Sequence, residues 1–273
     1  MLDIRAGQRL VLAIGEAVTA SLPMYDATGE KWPVATCAAS IGDLMLETSV
    51  VDGIPRAVVL PLASLGASVL EWHLTGSDAT QREVHTDIEV VGAHLCAIAD
   101  IRSYNRGADV DGFADKVRYP DDVVFDARQR ATDAIESACG RAFSPRRRKQ
   151  TVLKPAPVIA LDECDVSFVD PTVGAATLVS DCQVRIDRCM WMDYPIELTY
   201  DYGLPYVPEE VRAATVRLAA NYLRPLNRPE AATGESTDLG YISYTLAGRD
   251  GATGLPEVDA VIGRYKRSRY EVM

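Results

Sequence analysis

Between Asp121 and Cys139 apolar residues recur at helical spacing. Val124, Ala127, Ala131, Ile135, Ala138 and Cys139 recur every three or four positions and share one face. Asp126, Arg128, Arg130, Asp133 and Glu136 fall on the other face. Pro120, Asp121 and Asp122 suit a helix start, where carboxylates meet free backbone N–H groups. Gly140 suits the stop, and Pro145 opposes continuation. The stripe is built largely of small residues, so a second helix can approach closely. An aromatic anchor, Phe143, and the basic run Arg146–Lys149 follow.

The period is different before Cys96. Leu10, Leu12 and Ile14 alternate, as do Leu70, Trp72 and Leu74, and then Val84, Thr86, Ile88 and Val90. Such period-2 patterning marks half-buried antiparallel strands. Turn signals at Asp26–Gly29, Asp52–Pro55 and Thr75–Thr80 separate them. Short strands at this spacing predict a small β-sandwich, immunoglobulin-like in general form, over residues 1–95. The pattern turns helical near Gly92–Cys96, which sets the domain boundary there. Residues 102–119 have little periodicity and read as a loop.

After the long helix the chain is again strand-like from Gln150 to Tyr202, with Pro155, Pro157, Pro171, Gly174 and Pro195 as breaks. Residues 182–203 read as a hairpin, with Val184 and Ile186 facing the same way as Ile196, Leu198 and Tyr200. A second helix opens at Pro208 with Glu209 and Glu210 beside it. Its inward stripe is Val211, Ala214, Thr215, Leu218 and Tyr222, with Ala219 alongside. Residues 228–238 read as a polar loop and 241–246 as a short strand. A last helix spans 255–265, with Val258, Val261, Ile262 and Tyr265 at helical spacing. Arg264, Lys266, Arg267 and Arg269 gather at its C-terminal end, where cations suit the helix dipole. The predicted class is α+β: an N-terminal sandwich, then a small helical bundle over 96–273 with a β-rich insertion at about 150–202 and a docking helix and tail at about 255–273.

This element order, with the phrases ESACGRAF, PEEVRAATVRLAANYL and GLPEVDAVI, resembles the head-to-tail connector (adaptor) proteins of tailed bacteriophages. The resemblance covers about residues 97–266 and rests on helical phrases, not on a catalytic signature. It extends weakly to the sandwich, since some connectors of phages infecting actinobacteria carry an added N-terminal sandwich. It implies a structural protein made in the host cytoplasm and used in the virion neck. The ring would hold about twelve copies, closed by heterologous contacts. Its partners would be further copies of itself, the portal, and a tail-side stopper or tail terminator protein. Packaged DNA would pass through the channel without sequence-specific binding. In that family the C-terminal segment commonly reaches the portal. Here this would make Val258, Val261, Ile262 and Tyr265 apolar anchors and Arg264, Lys266, Arg267 and Arg269 a polar rim. Arg146, Arg147, Arg148 and Lys149 would serve a subunit interface or face the DNA channel, against the plainer reading of a solvated linker. The alternatives are another neck or tail-completion protein, or a surface-binding sandwich fused to a scaffold.

Composition bounds this reading. The net charge is −11. Residues 1–96 hold 5 Lys/Arg and 12 Asp/Glu, or −7; residues 97–273 hold 23 and 27, or −4. An acidic chain is a poor general binder of nucleic acid, while a wall that does not grip suits a conduit. No run nears the roughly 18 apolar residues of a membrane span, and the N-terminus has no signal-peptide core. The 6 cysteines form no CxxC pair and read as small buried hydrophobes. His85 and Asp87 lie on one outward strand face and make a poor triad with any serine. Asp181, Asp187 and Asp193 are interleaved with Arg185 and Arg188, which favours surface pairing over a metal site. The run Gly248–Gly254 lacks the Lys-Ser/Thr of a P-loop. No enzyme, metal or cofactor is expected.

Overall fold

The computed structural model describes residues 1–7, 9–104, 112–154, 156–172, 174–187, 195–224, 234–237, 240–243 and 253–267. It divides into two compact units: Met1–His94 with Ser144–Tyr206, and Leu95–Phe143 with Val207–Met273.

The first unit opens with nine strands: β1 (Leu2–Arg5), β2 (Arg9–Ala13), β3 (Val18–Ser21), β4 (Val34–Ile41), β5 (Leu44–Met45), β6 (Glu47–Val51), β7 (Ile54–Val59), β8 (Gly66–Gly76) and β9 (Gln81–Val91). One sheet has the order β1-β3-β7-β6 and the other β2-β9-β8-β4-β5. With β1, β2 and β5 set aside, β3-β7-β6 lies against β9-β8-β4. That is the strand order of an immunoglobulin-type sandwich. Alternation explains the core. Val18, Ala20, Ala57 and Val59 turn inward from one sheet, and Leu10, Leu12, Leu70, Trp72, Ile88 and Val90 from the other. Ile14, expected on the Leu10 stripe, is 43% exposed because β2 ends at Ala13. Trp32 is buried, and the Arg82 guanidinium lies 4.2 Å over its ring. A Cβ on Gly76 would stand 2.5 Å from the Trp32 ring, so only glycine fits there. Asp52 and Gly53 have φ of 53° and 74°, as the tight turn joining β6 to β7 requires.

The same unit contains β10 (Arg146–Val152), β11 (Val158–Ala160), β12 (Phe168–Pro171), β13 (Ala176–Ser180), β14 (Gln183–Ile186) and β15 (Ile196–Tyr202). They form two three-stranded sheets, β10-β15-β12 and β11-β14-β13. The expected hairpin of residues 182–203 is corrected: β14 and β15 belong to different sheets. Their apolar faces still meet, in a core of Ile159, Leu161, Val166, Val184, Ile186, Ile196, Leu198 and Tyr200. Tyr200 donates its hydroxyl to Gln150 Oε1 at 3.3 Å, and burial pushes its pKa up to about 12.

The basic run Arg146–Lys149 is a strand, not a linker after a helix. Its register puts Arg147 opposite Asp201, to which it donates at 2.7 and 2.9 Å. Arg148 donates to Asp162 and Glu163. Arg146 is buried and donates to Glu89 Oε1 at 2.8 Å, while Arg9 donates to the other oxygen of Glu89 at 2.5 Å. The Gly92 N–H donates to the Pro145 carbonyl at 2.7 Å, and a Cβ on Gly92 would stand 2.8 Å from the Pro145 ring.

The second unit is helical: α1 (Ile98–Arg102), α2 (Asp121–Cys139), α3 (Glu209–Leu223) and α4 (Pro256–Tyr265), with a hairpin of β16 (Gly234–Thr237) and β17 (Gly240–Ser243). The polar loop expected over 228–238 therefore contains a strand; residues 244–246 of the expected strand lie outside the described residues. α2 packs on α3 and α4 through Val124, Ala127, Ala131, Ile135 and Cys139. Gly140 ends α2 in the left-handed conformation, φ 65°. Arg128, expected outside, is buried with its guanidinium 4.7 Å from the Phe125 ring centre. The end of α4 is tied down. Tyr265 meets buried Phe143 edge-on at 5.5 Å, and the Arg267 N–H donates to the Cys139 carbonyl at 3.0 Å.

Candidate functional site

Among the described residues, a groove of about 590 Å³ lies between the end of α1 and the helices α3 and α4. Ala213, Ala214, Val216, Val258 and Val261 supply its apolar lining. Three arginines surround that lining, each against carboxylates. Arg212 donates to Asp100 at 2.8 and 3.1 Å and to Glu209 at 3.3 Å. Arg264 donates to Glu210 at 2.6 and 2.7 Å. Arg217 pairs with Glu257. A smaller recess of about 370 Å³ shares Tyr104, Arg217 and Glu257 with it and adds Asn221, Arg224, Leu255 and Pro256.

Local sequence explains the placement. Pro208 and Pro256 start α3 and α4, and glutamates follow at once in each. Glu209 and Arg212 are three positions apart on α3, so they share a face. The remaining pairs join different helices. Thr253 and Asp259 fix the entry to α4: the Thr253 N–H and hydroxyl both donate to Asp259, at 2.9 and 3.0 Å.

The hydrogen bonds from Arg212 hold the Asp100 carboxyl below the usual carboxylate range, while the pairing raises the pKa of Arg212. The sign follows from linkage. A depressed carboxylate stabilises the fold above its unfolded pKa of about 4, and that contribution is lost as pH falls through the lower folded value. Asp100→Asn removes this dependence. In denaturant unfolding followed against pH, the stability gap between wild type and Asp100→Asn is expected to be full at neutral pH and to close in acid. A gap constant down to the acid limit would mean that the pair does not couple to folding.

The charged side chains of the groove face each other in pairs. Burial pushes the thiols of Cys96 and Cys139 up to about 12 and about 11, so neither is a poised nucleophile. Among the described residues, no group of three or more His, Cys, Asp and Glu could hold a metal ion, and no helix is long and apolar enough to cross a membrane.

The C-terminal residues marked as anchors divide. Val258 and Ile262 are 0% and 5% exposed and are consumed by the helical unit's own core. Val261 lines the groove half-buried, and Tyr265 is half-buried on Phe143. Arg264 and Lys266 are exposed and Arg267 is half-buried; Arg269 lies outside the described residues. Arg146–Lys149 belongs to the other unit, with Lys149 exposed. The groove carboxylates Asp100, Glu210 and Glu257 were missed. Their arginine partners stand up to 112 positions away in the chain, and no local pattern encodes that.

No family model and no curated protein sequence matches the chain. Solved structures give partial overlaps. Fibronectin(III)-like modules of Clostridium thermocellum CbhA match at 22% identity and TM-score 0.24, over 31% of this chain and 86% of theirs. A cysteine protease inhibitor of Entamoeba histolytica, EhICP2, matches at 10% identity and TM-score 0.20, over 33% and 93%. A chicken TCR structure matches at 9% identity and TM-score 0.27, over 73% and 87%. TM-scores this low leave the description of the fold to the chain's own strand order.

Proposed function

We propose that this chain is a structural adaptor of a tailed-bacteriophage neck, whose copies form a ring beneath the portal, extend the DNA channel and join the tail components. The observation that carries this reading is the α1–α3–α4 groove. It has an apolar lining edged by Arg–carboxylate pairs, and it lies on the segments whose phrases resemble the connector family. A surface of this kind gains stability when another protein covers it, and its charges set register and partner choice. The acidic sandwich stands outside the connector-like region and would decorate the ring. Its immunoglobulin-like form, the helical bundle and the β insertion are the finer fold on which the reading rests.

Portal contact falls to the exposed part of the C-terminal segment. Arg264, Lys266 and Arg267 would form its polar side, with Val261 and Tyr265 as apolar contacts; Val258 and Ile262 would hold α4 in place from within. Electron microscopy of the purified chain, alone and mixed with virion necks, tests the proposal. Rings coaxial with the portal are the expected result. A chain that stays monomeric at every concentration and never joins a neck would overturn it.

A further inference from the structure

Among the described residues, polar atoms on β8 and β9 are buried in the sandwich core without a hydrogen-bond partner. They are Trp72 Nε1 on β8 and Thr86 Oγ1 on β9. Both residues are 0% exposed. The β8–β9 ladder fixes their relation: Leu70 stands opposite Thr86, and Trp72 opposite Val84. Trp72 and Thr86 are therefore diagonal neighbours on the inward face, a separation that a large aromatic side chain can span. The indole N–H can only donate, whereas the threonine hydroxyl can donate and accept. They make no bond to each other.

We propose that one internal water is bound between Trp72 and Thr86, accepting from the indole N–H and hydrogen-bonded to the Thr86 hydroxyl. Buried waters of this kind occur about once per 27 residues and satisfy polar groups that protein atoms leave unpaired. The alternative is two unpaired polar atoms in a low-dielectric core, which native structures rarely keep. The bridge would also act on register. A slip of one residue between β8 and β9 would turn Thr86 outward and leave the indole N–H with nothing.

The test uses the full chain labelled with ¹⁵N, with the Trp72 indole signal assigned by its loss in Trp72→Phe. In the wild type, the indole proton is expected to show a cross-peak at the water resonance with the sign of a long-lived bound water. Thr86→Val, which keeps the shape and removes the hydroxyl, is expected to lose it; Thr86→Ser is expected to keep it. A crystal structure that resolves ordered waters should show one within hydrogen-bond distance of both atoms, and this arm holds even where Thr86→Val fails to fold. A wild-type indole proton without a water cross-peak, a cross-peak unchanged in Thr86→Val, or density empty between the two side chains would each overturn the proposal.

Discussion

Glu89→Ala is expected to cost about 3 kcal/mol, the low end for breaking a buried ion pair. Glu89 lies on β9, with its side chain 23% exposed, and Arg146 on β10 is 9% exposed. Removing the carboxylate leaves a cation in a site where water replaces it poorly. The low end applies because Glu89 keeps some solvent. The same loss should lower the unfolding midpoint of this unit by on the order of 10 °C, read by scanning calorimetry. Arg9, 42% exposed, loses little when its partner goes. The double variant Glu89→Leu with Arg146→Met is expected to recover most of the loss, because an apolar pair of similar volume avoids desolvating charge. A single variant within about 0.5 kcal/mol of wild type, or a double variant no better than the single, would mean that the network does not stabilise the unit.

Leu198→Ala should be comparably severe, at about 3 kcal/mol within the 2–5 kcal/mol range for such truncations. Leu198 is 0% exposed on β15, the central strand of its sheet. It stands opposite Gln150 on β10 and Pro171 on β12. Its side chain belongs to the core where the two three-stranded sheets meet, so the void it leaves is enclosed on both sides. Leu198→Met, close in volume, is expected to cost less than about 1.5 kcal/mol. Equal losses for the two variants in urea unfolding would show that the site responds to any change and not to the cavity.

Periodicity made parts of this fold readable. Leu70, Trp72 and Leu74 alternate cleanly because one face of β8 is buried, and Val124, Ala131 and Ile135 mark the inner face of α2 because three other helices stand around it. The failures share a cause. Arg-Arg-Arg-Lys does not read as strand, yet Arg146–Val152 pairs along β15 because Asp201, Asp162, Glu163 and Glu89 accept its charges from distant positions. Arg128 looked solvated because charge usually is, but it is buried against Phe125. β14 and β15 follow one another in sequence and share a core, which a one-dimensional pattern cannot tell from a hairpin. The groove was hidden for the same reason: Arg264 meets Glu210 from 54 positions away.

The chain passes between its two compact units after His94, after Phe143 and after Tyr206. During synthesis, neither unit can therefore finish before the other has begun. The nine sandwich strands leave the ribosome without β10, and α2 emerges before its partner α3. At about 5–20 residues per second, the stripe of Val124, Ala131 and Ile135 waits seconds for cover, an interval in which a chaperone could hold the nascent chain. Once both units are built, the same threading makes them hard to part. A protease cut at any one of the three crossings leaves two covalent links intact, and the nicked molecule should travel as a single particle under native conditions.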